Sequence, residues 1–279
     1  MSRLFQRDVS VTVGTLKFSD LDASFSITKT AKPEPNTCEV TIWNLTRDHQ
    51  AQLESIAPKG SAPATQGIAC RIDAGYKDNV STIWSGDLRT VETMGDGPNA
   101  VTHLTSGDGE KAWKHARLHV AYGPKTPVET SLRAIARALG VGEGNLSKVV
   151  ARLRVGGSAI WPTGKVISGS ASRELVDMAR SADLEVSIQD GALQFVDRGQ
   201  ALTGTALKLS PETGLIGSPT VDNEGIMSCR ILMIPDLRVA GTIVLDADRV
   251  KGNYRVIQAD WSGETAGTNW YIDILGAPL

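Results

Sequence analysis

His115 and His119 stand four residues apart, a spacing that could set two imidazoles on one face, with His103, Asp108 and Glu110 close by in the chain. Those are the residue types of a metal or hydrolase site. The surroundings argue against one: there is no His-Glu-x-x-His, and Lys111-Ala-Trp-Lys-His-Ala-Arg117 is strongly cationic and would repel a further cation. Solvated surface histidines are the plainer reading. Asp108 and Glu110 also supply the two carboxyl groups of a glycosidase acid and nucleophile, yet Gly107-Asp-Gly109 reads first as turn chemistry. A serine nucleophile on a sharp turn needs Gly-x-Ser-x-Gly, and Gly157-Ser-Ala and Gly169-Ser-Ala-Ser both lack the closing glycine. Gly140-Val-Gly-Glu-Gly144 follows a helix, the wrong context for cradling phosphate. Cys38, Cys70 and Cys229 are odd in number and widely spaced, which predicts three buried thiols rather than a disulfide framework or a zinc site. No cofactor, metal or catalytic residue is expected.

The elements that carry these residues belong to a chain of 279 residues, 41% hydrophobic and 22% charged, with a net charge of −2. It is long enough for two cores. No apolar run reaches the roughly 18 residues of a membrane helix, and Arg7 and Asp8 interrupt the stretch where a signal peptide would be apolar. Membrane insertion and Sec export are not expected. Balanced charge and evenly spread Val, Ile and Leu exclude collagenous, mucin-like and disordered classes.

Period-two alternation dominates the first third, as in Val9-Ser-Val-Thr-Val13, Ala23-Ser-Phe-Ser-Ile27 and Cys38-Glu-Val-Thr-Ile42. The two prolines of Lys32-Pro-Glu-Pro-Asn-Thr37 force a turn or an extended edge. Thr46 caps a short helix over 47–56, 58–65 is a loop, and 68–76 with 80–84 forms a hairpin. A strand over 87–93 follows, then a turn at 95–99 and a return strand over 101–105. In the middle third, Val128, Leu132, Ile135 and Leu139 form one helical stripe over 127–139 that Gly140 ends. A second helix over 172–181 feeds a hairpin over 184–196 that turns on Asp190-Gly191. The last third returns to strands. The expected fold is α+β, mainly antiparallel β, with β domains at 1–115 and 204–279 flanking an α+β unit at 116–203.

The two β regions parallel each other. Arg89-Thr-Val-Glu-Thr93, a Gly-rich turn and Val101-Thr-His-Leu-Thr105 match Arg255-Val-Ile-Gln-Ala259, the turn over 262–269 and Trp270-Tyr-Ile-Asp-Ile274. Likewise Cys38 to Leu45 answers to Cys229 to Leu237, a faint internal duplication. Charge is uneven: between Lys111 and Arg154 nine basic residues face only Glu129 and Glu143, so this segment is near +7 and the remainder near −9. That asymmetry suits an acidic partner surface or a polyanion. With only Trp113 and Tyr122 as aromatics there, a stacking platform for nucleic acid is missing.

Lys32-Pro-Glu-Pro-Asn-Thr-Cys-Glu-Val-Thr-Ile-Trp-Asn-Leu45, Gly75-Tyr76, Trp84-Ser-Gly-Asp-Leu88 and Ser106-Gly-Asp-Gly-Glu110 resemble the N-terminal part of phage tail proteins of the baseplate-hub type. Gly214-Leu-Ile-Gly-Ser-Pro-Thr220, Leu232-Met-Ile-Pro-Asp-Leu237 and Gly252-Asn-Tyr-Arg-Val256 are similar to that family's ending, in the same order. The resemblance marks Pro35, Asn36, Trp43, Asn44, Gly86, Asp87, Gly107, Asp108, Gly217, Pro219, Pro235 and Asp236 as structural motif residues. It implies a virion protein of long-tailed phages, contractile ones in particular, assembled in the bacterial cytoplasm. It further implies two tube-like β-barrels per chain and a homotrimer that adapts a sixfold tail tube to a threefold central spike. Implied partners are tube, spike and baseplate wedge proteins, with DNA passing through the lumen unbound. The alternative is a virion-associated peptidoglycan hydrolase using the neighbourhood of Asp108, Glu110, His115 and His119. A carbohydrate-binding tail module would need an exposed aromatic patch, and aromatics are 5% of the chain.

Overall fold

The structure is a computed structural model and describes residues 6–58, 67–77, 79–95, 99–155 and 159–279. Residues 59–65 of the expected loop, 96–98 of the expected turn and Gly157-Ser158 lie outside them. The first β region comprises β1 (Arg7–Val13), β2 (Leu16–Ser19), β3 (Ala23–Thr30), β4 (Thr37–Trp43), helix α1 (Arg47–Ile56), β5 (Ala69–Tyr76), β6 (Asn79–Met94) and β7 (Val101–Gly107). The middle unit holds α2 (Glu110–His115), β8 (Arg117–Tyr122), β9 (Thr126–Pro127), α3 (Val128–Leu139), α4 (Leu146–Val155), β10 (Ile160–Trp161), β11 (Lys165–Ser170), α5 (Ala171–Ser181), β12 (Leu184–Gln189) and β13 (Ala192–Asp197). The last region adds β14 (Leu207–Leu209), β15 (Leu215–Val221), β16 (Met227–Leu232), β17 (Thr242–Asp246), β18 (Lys251–Glu264) and β19 (Trp270–Pro278).

Alternation becomes burial as expected: in β4, Cys38, Val40 and Ile42 face the core while Thr37 and Glu39 face solvent. Thr46 caps α1 by accepting a hydrogen bond from His49 N–H at 3.3 Å. In α3 the stripe of Val128, Leu132, Ile135 and Leu139 is buried. Gly140 then takes φ +64° and its N–H closes on the carbonyls of Ala136 and Arg137. Ser170 caps α5. The β12–β13 hairpin turns on Asp190 (φ +53°) and Gly191 (φ +76°), both left-handed, as a two-residue turn between twisted strands requires.

Two expectations change. The strands read as 80–84 and 87–93 are one 16-residue strand, β6, running through Gly86. A side chain at Gly86 would meet the Gly107 carbonyl at 2.8 Å, so only glycine lets β6 pass β7 there. Between α3 and the hairpin an additional helix, α4, buries Leu146, Val149, Val150 and Leu153.

The strands of both β regions form a single 13-stranded sheet in the order β15-β16-β19-β18-β3-β4-β7-β6-β5-β1-β2, with β17 and β14 branching from β18. Among the described residues this path does not close on itself. One hydrophobic core draws on both ends of the chain, including Ile27, Ile42, Trp84, Ile231, Val256 and Trp261. A second, built from residues 128–195, belongs to the middle unit.

Candidate assembly surface

The sheet contains the same strand order twice. β3-β4-β7-β6-β5 and β15-β16-β19-β18-β17 are each five neighbours linked by antiparallel pairing in the same sequence of connections. Both also break register at the same place. Arg89 is the extra residue between Leu88 and Thr90 against β7, and Ile257 is the extra residue between Val256 and Gln258 against β19. Aligning the bulges makes Val91 the counterpart of Ala259, Glu92 of Asp260, Thr93 of Trp261 and Met94 of Ser262. In the same register the cross-strand pair Thr41 and His103, 3.0 Å apart, answers to the ion pair of Arg230 and Asp273 at 2.7 Å. The duplication read from sequence is thus present, with its register corrected: Arg89 matches Ile257 rather than Arg255, Val101 matches Tyr271 rather than Trp270, and Cys38 matches Met227 rather than Cys229.

The two copies meet at one junction. β18 lays residues 258–264 against β3, from Gln258 opposite Thr30 to Glu264 opposite Ser24. Trp261 pairs with Ile27, and they are 2% and 0% exposed. Gly263 pairs with Phe25, whose ring lies so close that a side chain on the glycine would meet it at 2.2 Å. Phe25 and Tyr76 pack edge-on against Trp270, with ring centroids 5.9 and 6.3 Å away. Arg7 covers Trp270 and donates to the carbonyls of Glu264 and Gly267. Thr28 Oγ1 donates to Asp260 at 2.6 Å.

The middle unit is pinned beside this junction through its hairpin tip. Asn36, 2% exposed, donates its backbone N–H to Asp108 Oδ1 at 2.6 Å and its side-chain amide to Asp108 Oδ2 and the Ile188 carbonyl, both at 2.8 Å. Gln189 donates to the Thr30 carbonyl at 2.7 Å. Asp190 accepts from Lys29 Nζ at 2.6 Å and from Ser85 N–H at 3.1 Å. Lys29, itself buried, lies 5.7 Å from the Trp84 ring and 5.5 Å from the Trp261 ring. Burial pushes the Asp108 carboxyl up to about 7, against the pull of its two Asn36 donors and the nearby Lys29.

Of the twelve motif residues, the structure joins Asn36 and Asp108 directly, at the ends of segments leading into β4 and out of β7. Gly107 packs under the guanidinium end of the Arg89 side chain. Gly86 and Asp87 lie at the crossing of β6 over β7. Gly217 takes φ +71° inside the register shift of β15, where Pro219 also sits. Asn44 takes φ +60° after β4, Trp43 ends that strand, Pro35 precedes Asn36, and Pro235 is buried beside the exposed Asp236 after β16. These ten do not converge on one site. Lys29, Gln189 and Asp190 complete the hairpin socket without being motif residues.

The hydrolase neighbourhood is dispersed. Asp108 is 1% exposed with both oxygens engaged by Asn36, His119 Nδ1 pairs with Ser168 on the exposed face of β8, and His115 ends α2 in solvent. The Glu110 side chain lies outside the described residues. Among the described residues no group of three His, Cys, Asp or Glu is placed to hold a metal, and the three cysteines are buried thiols. The two acidic residues between Lys111 and Arg154, Glu129 and Glu143, both pair with Arg133. Arg117, Lys125, Arg137 and Lys148 stay exposed.

The profile of the family described as Baseplate hub gp41 matches residues 8–276. No curated protein matches the sequence. Among solved structures, the 43 kDa tail protein of prophage MuSo2 from Shewanella oneidensis superposes with a TM-score of 0.66 at 9% identity, covering 98% of this chain and 97% of that one. A tail protein of Neisseria meningitidis MC58 gives 0.63 at 9%, covering 98% and 96%. An E. coli component of the type VI secretion system, described as similar to the T4 bacteriophage tail proteins gp27 and gp5, gives 0.56 at 10%, covering 96% and 76%. At such identities the likeness is one of fold.

Proposed function

Since the chain belongs to the baseplate hub gp41 family, we propose that it works as a trimeric structural hub that matches a sixfold tail tube above to a threefold spike below. The observation that carries this reading is the doubled five-strand order with its matched bulges. Two quasi-equivalent units per chain give six in a trimer, while the true symmetry stays threefold. In this reading each unit is one tube-like barrel whose sheet is completed by neighbours, which removes open edges that a lone chain leaves. The first unit and the last are the domains at 1–115 and 204–279, and 116–203 is the inserted middle unit.

The lumen is lined by polar and acidic side chains that let DNA pass without binding. The exposed Arg117, Lys125, Arg137 and Lys148 of the middle unit face outward, toward acidic surfaces of wedge proteins. No residue is catalytic, and the chain resides in the virion. A mass measurement in solution tests the central claim: the expected value is three times the 29.7 kDa of the chain. A chain that stays monomeric both alone and with its spike protein would overturn the adaptor role. An assembled lumen dominated by Lys and Arg would overturn the charge placement.

A further inference from the structure

The junction between the two units is a template for a contact the single chain does not make. On the outer side of β18, residues 251–255 pair with β17 and residues 258–264 pair with β3. On the outer side of β6, residues 79–87 pair with β5, the counterpart of β17, and among the described residues no strand pairs with Thr90 to Met94. The counterpart of β3 in the second unit is β15, which pairs with β16 on one side and ends the sheet path on the other. The one missing pairing in the doubled pattern is therefore β6 with β15.

Both edges carry the exposure this predicts. Met94 is 56% exposed and Val221 43%, and Ile216 at 38% shares the β15 edge. Of their counterparts inside the junction, Ile27, which answers to Val221, is 0% exposed, and Ser262 and Ser24, which answer to Met94 and Ile216, are half-buried. Thr90 and Glu92 are exposed where Gln258 and Asp260 are half-buried. The unpaired N–H and C=O groups of an open sheet edge are a template for strand addition, and exposed apolar side chains beside them mark a surface to be buried.

We propose that the β6 edge of one chain takes the β15 edge of a second copy in antiparallel pairing, with Thr93 opposite Val221 and Met94 opposite Thr220. The register follows from carrying Trp261 opposite Ile27 and Ser262 opposite Ser26 across the repeat. Beyond Val221 the chain turns, with Asp222 accepting from the N–H groups of Glu224 and Ile226, so the interchain ladder is shorter than the internal one. This rests on the trimeric reading, and it names the strands that build it.

Cysteine pairs in the full chain test it, because the three native thiols are buried and contribute little background. Opposed residues in an antiparallel ladder lie about 4.5–5.5 Å apart at Cα, within disulfide reach. Thr93→Cys/Val221→Cys, mildly oxidised, is expected to run as covalent dimer and trimer on a non-reducing gel, as is Met94→Cys/Thr220→Cys. Each single variant, and the misregistered Thr93→Cys/Ile216→Cys, is expected to stay monomeric on the gel. A trimeric mass in solution with no cross-link from either matched pair would overturn the strand assignment and leave the trimer standing. A monomeric mass with no cross-link, both alone and with the spike protein, would overturn both, and a ladder continuing past trimer would overturn closure.

Discussion

The outer edges of β18 and β6 occupy the same place in two copies of one strand order, and among the described residues a strand covers only the first along its full length. At the covered edge the sequence supplies bulk and close approach: Trp261, Ile27, and Gly263 under the Phe25 ring. At the open edge the same places hold Thr93, Val221 and Gly95. The difference teaches that two units alike in backbone are specialised by side chain. One side is built as core within a single chain, and the other sets Thr93 where the first has Trp261 and leaves Met94, Ile216 and Val221 exposed.

The largest test of that contrast is a matched pair of truncations. Trp261→Ala is expected to cost about 3–5 kcal/mol in urea unfolding, as for a large aromatic removed from a core. Its counterpart Thr93→Ala, which gives up a 3.4 Å hydroxyl contact with the buried Thr102, is expected to cost the isolated chain only about 1 kcal/mol. Comparable costs at both positions would mean the β6 edge is not free. Gly263→Val comes next, at about 1–3 kcal/mol of overpacking against Phe25, read as a lower unfolding midpoint with an unchanged denaturant slope.

Asn36→Ala keeps the backbone N–H to Asp108 but removes the side-chain amide that donates to Asp108 Oδ2 and the Ile188 carbonyl, and is expected to cost about 1–3 kcal/mol. The same carboxyl gives the pH dependence. Its pKa rises from the ordinary 3.8 to about 7 on folding, so the native state holds this proton more tightly than the unfolded chain. The stability it contributes is full below about pH 3.8 and is lost as pH rises through about 7. The advantage of wild type over Asp108→Asn in unfolding free energy should therefore shrink between pH 4.5 and 8, and a constant difference would exclude the assignment. The smallest effect is expected at the solvent-facing pair: Arg230→Ala should cost about 0–1 kcal/mol, close to the cost of Thr41→Ala at the matching place in the first unit.

Local patterns were legible where the physics is local. The α3 stripe ending at Gly140, the Thr46 cap and the left-handed Asp190-Gly191 turn each depend on a few neighbouring residues, and each stands where spacing puts it. The helix α4 has a readable stripe at Leu146, Val149, Val150 and Leu153, but the basic residues interleaved with it draw attention to charge instead. The duplication shows in alternation, while its register does not. A single bulge residue, Arg89 or Ile257, slides one strand past its partner without any local marker, and a slip of one position turns every side chain to the other face. The β18–β3 junction joins residues more than two hundred positions apart, and nothing near either strand announces the other. In the hairpin socket, Asn36 and Asp108 were reachable as motif residues. Lys29 was not, because a lysine in an alternating strand gives no sign of being buried between two indoles.

That lysine has a geometric consequence. Trp84 belongs to the first five-strand set, Trp261 to the second and Asp190 to the inserted hairpin, and Lys29 touches all three. In the proposed trimer the angle between the two five-strand sets would thereby be set inside each polypeptide before any copy arrives, so the circumference would be decided subunit by subunit rather than by the last piece to fit.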